Sequence, residues 1–139
     1  MSDKCFVDTN ILVYAHDSTQ KAKHGRARDL LQELWETGKG MLSTQVLQEL
    51  CVSLRRKVAR PASVAEMAKI IEDYARWEIA VNTPESILEA LEIEERYKIS
   101  FWDALMLQAA ESHGAEVLYS EDLSDGQKYK GVRVVNPLK

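Results

Sequence analysis

The stretch Cys5-Phe6-Val7-Asp8-Thr9-Asn10-Ile11-Leu12-Val13-Tyr14 decides the fold. Its two apolar halves are split by three polar residues, so a short buried strand over about 4–7 hands over to a helix over about 11–16. Asp8 stands at the handover. In open α/β sheets ligands bind outside the carboxyl ends of the strands, where side chains leaving the sheet converge. The same position also suits a helix cap, because Asp8 or Thr9 can accept hydrogen bonds from the first N–H groups of the helix. Both readings stand on this stretch alone.

Working outward, the apolar spacing predicts a longer helix over about 20–37 that stops before Gly38 and Gly40, and then a strand Met41-Leu42-Ser43. A helix over about 44–59 halts before Pro61, and Ser63 starts another that runs to about Arg76. Ile79-Ala80-Val81 reads as a third strand. Pro84 and Ser100 each open a helix, the second ending near His113-Gly114. Val117-Leu118-Tyr119 and Val132-Arg133-Val134-Val135 complete the strands. Strands alternate with helices throughout, which predicts a mostly parallel sheet of about five strands with helices on both faces, because parallel neighbours need long crossovers. No repeat or second domain interrupts residues 1–139.

Composition narrows the function classes. A chain of 139 residues with 45% hydrophobic and 29% charged residues is a soluble globular domain that buries a core without disulfides or a structural metal. No apolar run reaches bilayer length, so no membrane role is expected. Met1-Ser2-Asp3-Lys4 lacks the pattern of an export signal, which makes the cytoplasm the expected location. Cys5 and Cys51 sit in apolar patterns and read as core thiols. His16, His24 and His113 are too scattered for a zinc centre. The net charge of −4 excludes broad electrostatic binding of nucleic acid but leaves room for a local site.

Four acids fall at or near element ends: Asp8 after the first strand, Glu49 in the helix after the second, Asp103 opening a late helix, and Asp122 after the fourth strand. Carboxylates gathered from such positions repel one another unless a hard cation joins them, and Mg2+ or Mn2+ is the natural guest. Each acid has a competing explanation. Glu49 lies off the stripe Leu47, Leu50, Cys51, Leu54 and Val58, on a polar face with Gln45, Ser53, Arg56 and Arg60 that suits either a cleft wall or solvent. Asp103 stands where Ser100-Phe101-Trp102-Asp103 resembles a capping box, at the edge of a buried stripe of Trp102, Leu105, Met106, Ala109 and Ala110. Asp122 shares its turn with Asp125, which precedes Gly126 as a turn former does.

Taken together and in order, Val7-Asp8-Thr9-Asn10-Ile11-Leu12-Val13-Tyr14, Ser43-Thr44-Gln45-Val46-Leu47-Gln48-Glu49, Ser100-Phe101-Trp102-Asp103-Ala104-Leu105 and Leu118-Tyr119-Ser120-Glu121-Asp122-Leu123 resemble the PIN-domain family, and within it the VapC-type toxins of bacterial toxin–antitoxin pairs. The resemblance runs on to Val134-Val135-Asn136-Pro137. It implies a three-layer α/β/α sandwich and a magnesium- or manganese-dependent endoribonuclease. Carried over by position, Asp8, Glu49, Asp103 and Asp122 form the acidic quartet, with Asp8 and Asp103 as metal ligands and Glu49 completing the pocket. Thr9, Asn10 and Ser120 match polar residues that orient the carboxylates.

The implied partners are an RNA substrate, a cognate antitoxin protein and a second copy of the chain in a homodimer. The implied chemistry is metal-assisted hydrolysis of a phosphodiester. Local cations for the substrate would come from Arg55, Arg56, Lys57 and Arg60, or from Lys21, Lys23, Arg26 and Arg28, although such runs also form ordinary solvated faces. Two alternatives remain open on the sequence: a non-catalytic module that binds RNA or protein through the same sandwich, and a phosphoryl-transfer domain that forms a phosphoaspartate.

Overall fold

Asp8 sits in the computed structural model where β1 (Cys5–Val7) passes into α1 (Thr9–His16). The structure describes residues 3–139; Met1 and Ser2, read above as part of a segment without an export signal, lie outside the described residues. The chain continues through α2 (Ala22–Thr37), β2 (Gly40–Ser43), α3 (Thr44–Arg56), α4 (Val64–Tyr74), β3 (Glu78–Ala80), α5 (Pro84–Tyr97), α6 (Phe101–Ser112), β4 (Val117–Tyr119), β5 (Lys128–Tyr129) and β6 (Val132–Val135). The sheet order is β3-β2-β1-β4-β6-β5, parallel except for the β5–β6 pair.

This order fixes where a site can form. From β1 the chain builds β2 and β3 on one side, then returns to place β4 against the other side of β1. Because parallel crossovers are right-handed, reversing the direction of travel puts the later helices on the opposite face. Accordingly α1 packs with α2 and α3, and α3 with α4, while α5 packs with α6; β2 is met by α2 and α3 and also by α6. The result is a three-layer α/β/α sandwich. Its switch point lies between the carboxyl ends of β1 and β4, the place where open sheets of this kind bind ligands.

The core explains the burial of the strands. Phe6, Val7, Met41, Leu42, Leu118 and Val134 are all fully buried, as expected for strands covered on both faces. Gly40 is required by a close approach: a Cβ there would stand 2.5 Å from Cζ3 of Trp77. Helix ends follow local chemistry. Ser63 and Glu66 form a capping box at α4, Thr83 and Ser86 cap α5 behind Pro84, and Gly38 closes α2 with a left-handed φ of 71°.

Several boundaries differ from the sequence expectation. Helix α3 stops at Arg56 rather than near 59, and the chain beyond it folds back, the Ala62 N–H donating to the Leu54 carbonyl at 2.8 Å. Strand β3 begins one residue early because Glu78 pairs with Met41, which leaves Val81 exposed. The sixth strand, β5, was not foreseen. It returns to β6 through Lys130 and Gly131, both with positive φ, a two-residue hairpin turn whose lysine hid the usual Asn-Gly signal. Cys5 and Cys51 are free thiols, half-buried against the core rather than inside it. No helix among the described residues is long and apolar enough to cross a membrane.

Candidate active site

A cavity of about 590 Å³ opens at the switch point, lined among others by Asp8, Thr9, Asn10, Gln45, Glu49, Lys57, Trp102, Asp103 and Asp122. The four acids singled out in the sequence therefore face one space, although they come from β1, α3, α6 and the turn after β4.

Three of the four are held by neighbouring polar side chains. Asp8 occupies the cap position of α1, yet its side chain makes no capping bond. Instead its Oδ2 accepts a hydrogen bond from Ser120 Oγ at 2.8 Å, and that hydroxyl in turn accepts from the Asp122 N–H at 3.1 Å. The capping explanation of Asp8 is thereby overturned: the adjacent turn after β4 supplies a better partner than the helix N-terminus. Nor does Thr9 cap, because its hydroxyl donates to Glu49 Oε1 at 2.7 Å. Asn10 Nδ2 donates to Asp122 Oδ2 at 2.7 Å. Asp103 takes only half of a capping box: its N–H donates to Ser100 Oγ at 3.1 Å, leaving its carboxylate turned to the cavity.

The reading of α3 as a solvated face fails for two of its residues. Glu49 is half-buried, and Gln45, expected beside it on the polar face, is only 3% exposed. The Gln45 amide reaches across the cleft, its Nε2 donating to Glu49 Oε2 at 3.3 Å and to the Trp102 carbonyl at 3.2 Å. Its Oε1 is buried without a hydrogen-bond partner among the described residues. Trp102, assigned to the buried stripe of α6, is 60% exposed, because the first turn of that helix lies at the rim of the cavity. Leu105, Met106, Ala109 and Ala110 are buried as expected.

Negative charge is concentrated here, and Lys57 on the cavity wall makes no ion pair with it among the described residues. None of the four acids is in an ion pair among the described residues. Burial pushes the Asp8 carboxyl up to about 7; Ser120 pulls it back, while Asp122, Asp103 and Glu49 add to the rise. Asp122 is raised for the same reasons, burial first and then Asp103, Glu121 and Glu49. Asp125 belongs elsewhere. It accepts from the Asn136 N–H at 2.8 Å and does not line the cavity, which removes it from competition with Asp122.

The donor set is all oxygen and anionic, which fits a hard divalent cation that keeps several of its waters. Among the described residues no three carboxylate, imidazole or thiol groups stand close enough to cage an ion unaided. The fit is thus to a hydrated ion held by one or two carboxylates, with the remaining acids and Gln45 Oε1 taking hydrogen bonds from water.

Some neighbours were missed in the sequence. Tyr14 OH donates to Glu121 Oε1, and Lys23 Nζ pairs with Glu121 Oε2 at 3.2 Å, tying the turn before Asp122 to α1 and α2. Tyr14 lies four residues after Asn10, so helical spacing put it on the cleft side. Nothing comparable marked Glu121.

The family model of the PIN domain matches residues 5–124. The chain belongs to the PIN-domain family. Among solved structures, this PIN domain is similar to a toxin–antitoxin complex from Klebsiella pneumoniae, at 19% identity and a TM-score of 0.69, covering 96% of this chain and 98% of that one. It is similar also to VapC20 of Mycobacterium tuberculosis, a toxin that cleaves the sarcin–ricin loop, at 27% identity and a TM-score of 0.66 over 86% of this chain and 90% of that one. DNA-bound VapBC from Salmonella typhimurium matches at 18% identity and a TM-score of 0.65, covering 96% and 97%. Comparison with curated proteins gives no match. The family reading of the four ordered motifs agrees with the PIN assignment.

Proposed function

We propose that this PIN domain is a Mg2+- or Mn2+-dependent endoribonuclease of the VapC type, the toxin of a toxin–antitoxin pair acting in the cytoplasm. The observation that carries the reading is the convergence of Asp8, Glu49, Asp103 and Asp122 on one cavity without an ion-paired cation. The likeness to VapC20, a toxin that cleaves the sarcin–ricin loop, supports RNA as the substrate class. Likeness to toxin–antitoxin complexes supports an antitoxin as partner. A homodimer and a single catalytic domain over the whole chain belong to the same proposal.

In this reading Asp8 and Asp103 would hold the ion, and Glu49 and Asp122 would orient water beside it. A bound divalent ion would supply positive charge against the phosphoryl oxygens and lower the pKa of water in the site. The protein's own part is positional. Ser120 fixes the rotamer of Asp8, Thr9 and Gln45 fix Glu49, and Asn10 fixes Asp122, so the carboxylates meet an incoming phosphate without first reorganising. No side chain needs to attack phosphorus.

Purified Asp103→Asn and Asp8→Asn proteins are expected to keep the wild-type circular dichroism spectrum and to lose more than about a hundred-fold of magnesium-dependent RNA cleavage. Retained cleavage in both sinks the assignment. Calorimetric titration with Mn2+ separates a non-catalytic module: saturable binding that Asp8→Asn abolishes supports the enzyme, and no saturable binding favours the module.

A further inference from the structure

The cleft has an acidic floor and belongs to a chain of net charge −4, so binding of a polyanion there gains little from counterion release. Most of the affinity must come from contacts that do not depend on charge. On the α6 rim of the same cavity, beside Asp103, Trp102 exposes 60% of its surface. Its backbone is tied across the cleft, the carbonyl accepting from Gln45 Nε2 at 3.2 Å, and its indole makes a T-shaped contact with Phe101 at 5.2 Å between ring centroids. A half-open indole braced by an aromatic neighbour gives up less freedom on stacking than an unsupported one. Across the cleft Val52, 49% exposed, adds an apolar contact from α3, and Lys57 adds a cation. The cavity is wide enough for more than a hydrated ion.

We propose that Trp102 is a nucleobase-binding residue: one unpaired base of the RNA substrate stacks on its indole, with Val52 facing it and Lys57 taking a phosphate, next to the bond cut at the acids. This rests on the ribonuclease reading and narrows it to single-stranded or looped RNA, because a base within a duplex has no free face to offer.

The test uses the full chain and a short single-stranded oligonucleotide with 2′-O-methyl groups, which resists cleavage, followed by fluorescence anisotropy in chelator. Trp102→Ala is expected to weaken binding about ten- to hundred-fold, equally at about 50 and about 300 mM salt, whereas Trp102→Phe keeps most of it. Lys57→Gln is expected instead to reduce the salt slope by about one. On cleavable RNA, Trp102→Ala raises KM more than it lowers kcat. Unchanged oligonucleotide binding in Trp102→Ala overturns the proposal, and it does so while leaving the enzyme reading intact if the wild type still cleaves RNA. Loss of a dimer by light scattering with RNA binding unchanged also overturns it, assigning Trp102 to a protein interface. A wild type that neither binds nor cuts RNA removes both.

Discussion

Replacing Asp8 with Asn should make the metal-free protein more stable, and only above mildly acidic pH. The carboxyl is 3% exposed and titrates at about 7 in the folded chain against 3.8 when free. The sign follows from proton counting. A raised native pKa means that the folded state holds a proton the unfolded state has released, so stability is greatest below about pH 4, falls through the window up to about pH 7, and stays low above it. The difference of roughly three pKa units corresponds to about 4 kcal/mol at about pH 8. Asn is isosteric, uncharged and still accepts from Ser120, so it escapes this cost. At about 3 °C per kcal/mol for a chain of this size, the melting temperature should rise by roughly 12 °C. Urea unfolding of both proteins in chelator, at steps from about pH 4 to about pH 8, isolates the contribution of Asp8 and its coupling to the neighbouring acids, since groups remote from the site cancel in the difference. Divalent cations should then stabilise the wild type more than the variant. An Asn variant equal to or weaker than wild type at about pH 8, or a difference independent of pH, refutes the reasoning.

Two further outcomes follow from contacts around the site and core. Gly40→Ala pushes a Cβ to 2.5 Å from the Trp77 ring, and with Trp77 buried the overpacking should cost about 1–3 kcal/mol in a thermal or urea melt without changing the cleavage pattern. Ser120→Ala removes the hydroxyl shared by Asp8 and the Asp122 N–H, so Mn2+ affinity by calorimetry and RNA cleavage should each fall about ten- to hundred-fold, with Cys recovering little.

What the sequence disclosed and what it hid divide along physical lines. Long elements with strong periodicity, caps and prolines were placed to within a few residues, because their signals are local: Ser63 before α4, Pro84 opening α5, Gly38 after α2. The β5 strand failed to show because a two-residue strand has no period. Ordered motifs brought Asp8, Glu49, Asp103 and Asp122 forward as a set. Helix spacing alone misjudged Gln45 and Trp102, since it locates a side chain around an axis and is blind to what lies across a cleft. Glu121 was silent for the same reason: its partners Tyr14 and Lys23 are about a hundred residues distant along the chain.

The sheet order also sets a timetable. Strands β1, β2 and β3 come first from the ribosome and can pair among themselves, carrying Asp8 and Glu49; Asp103 and Asp122 arrive only with the second half, when β4 takes its place beside β1. At cellular synthesis rates the gap between Asp8 and Asp122 is on the order of ten seconds. Until it closes, the nascent chain holds half an acid cluster and no Ser120 to orient Asp8. On the ribonuclease reading proposed above, competence is thereby withheld until the turn after β4 has been synthesised.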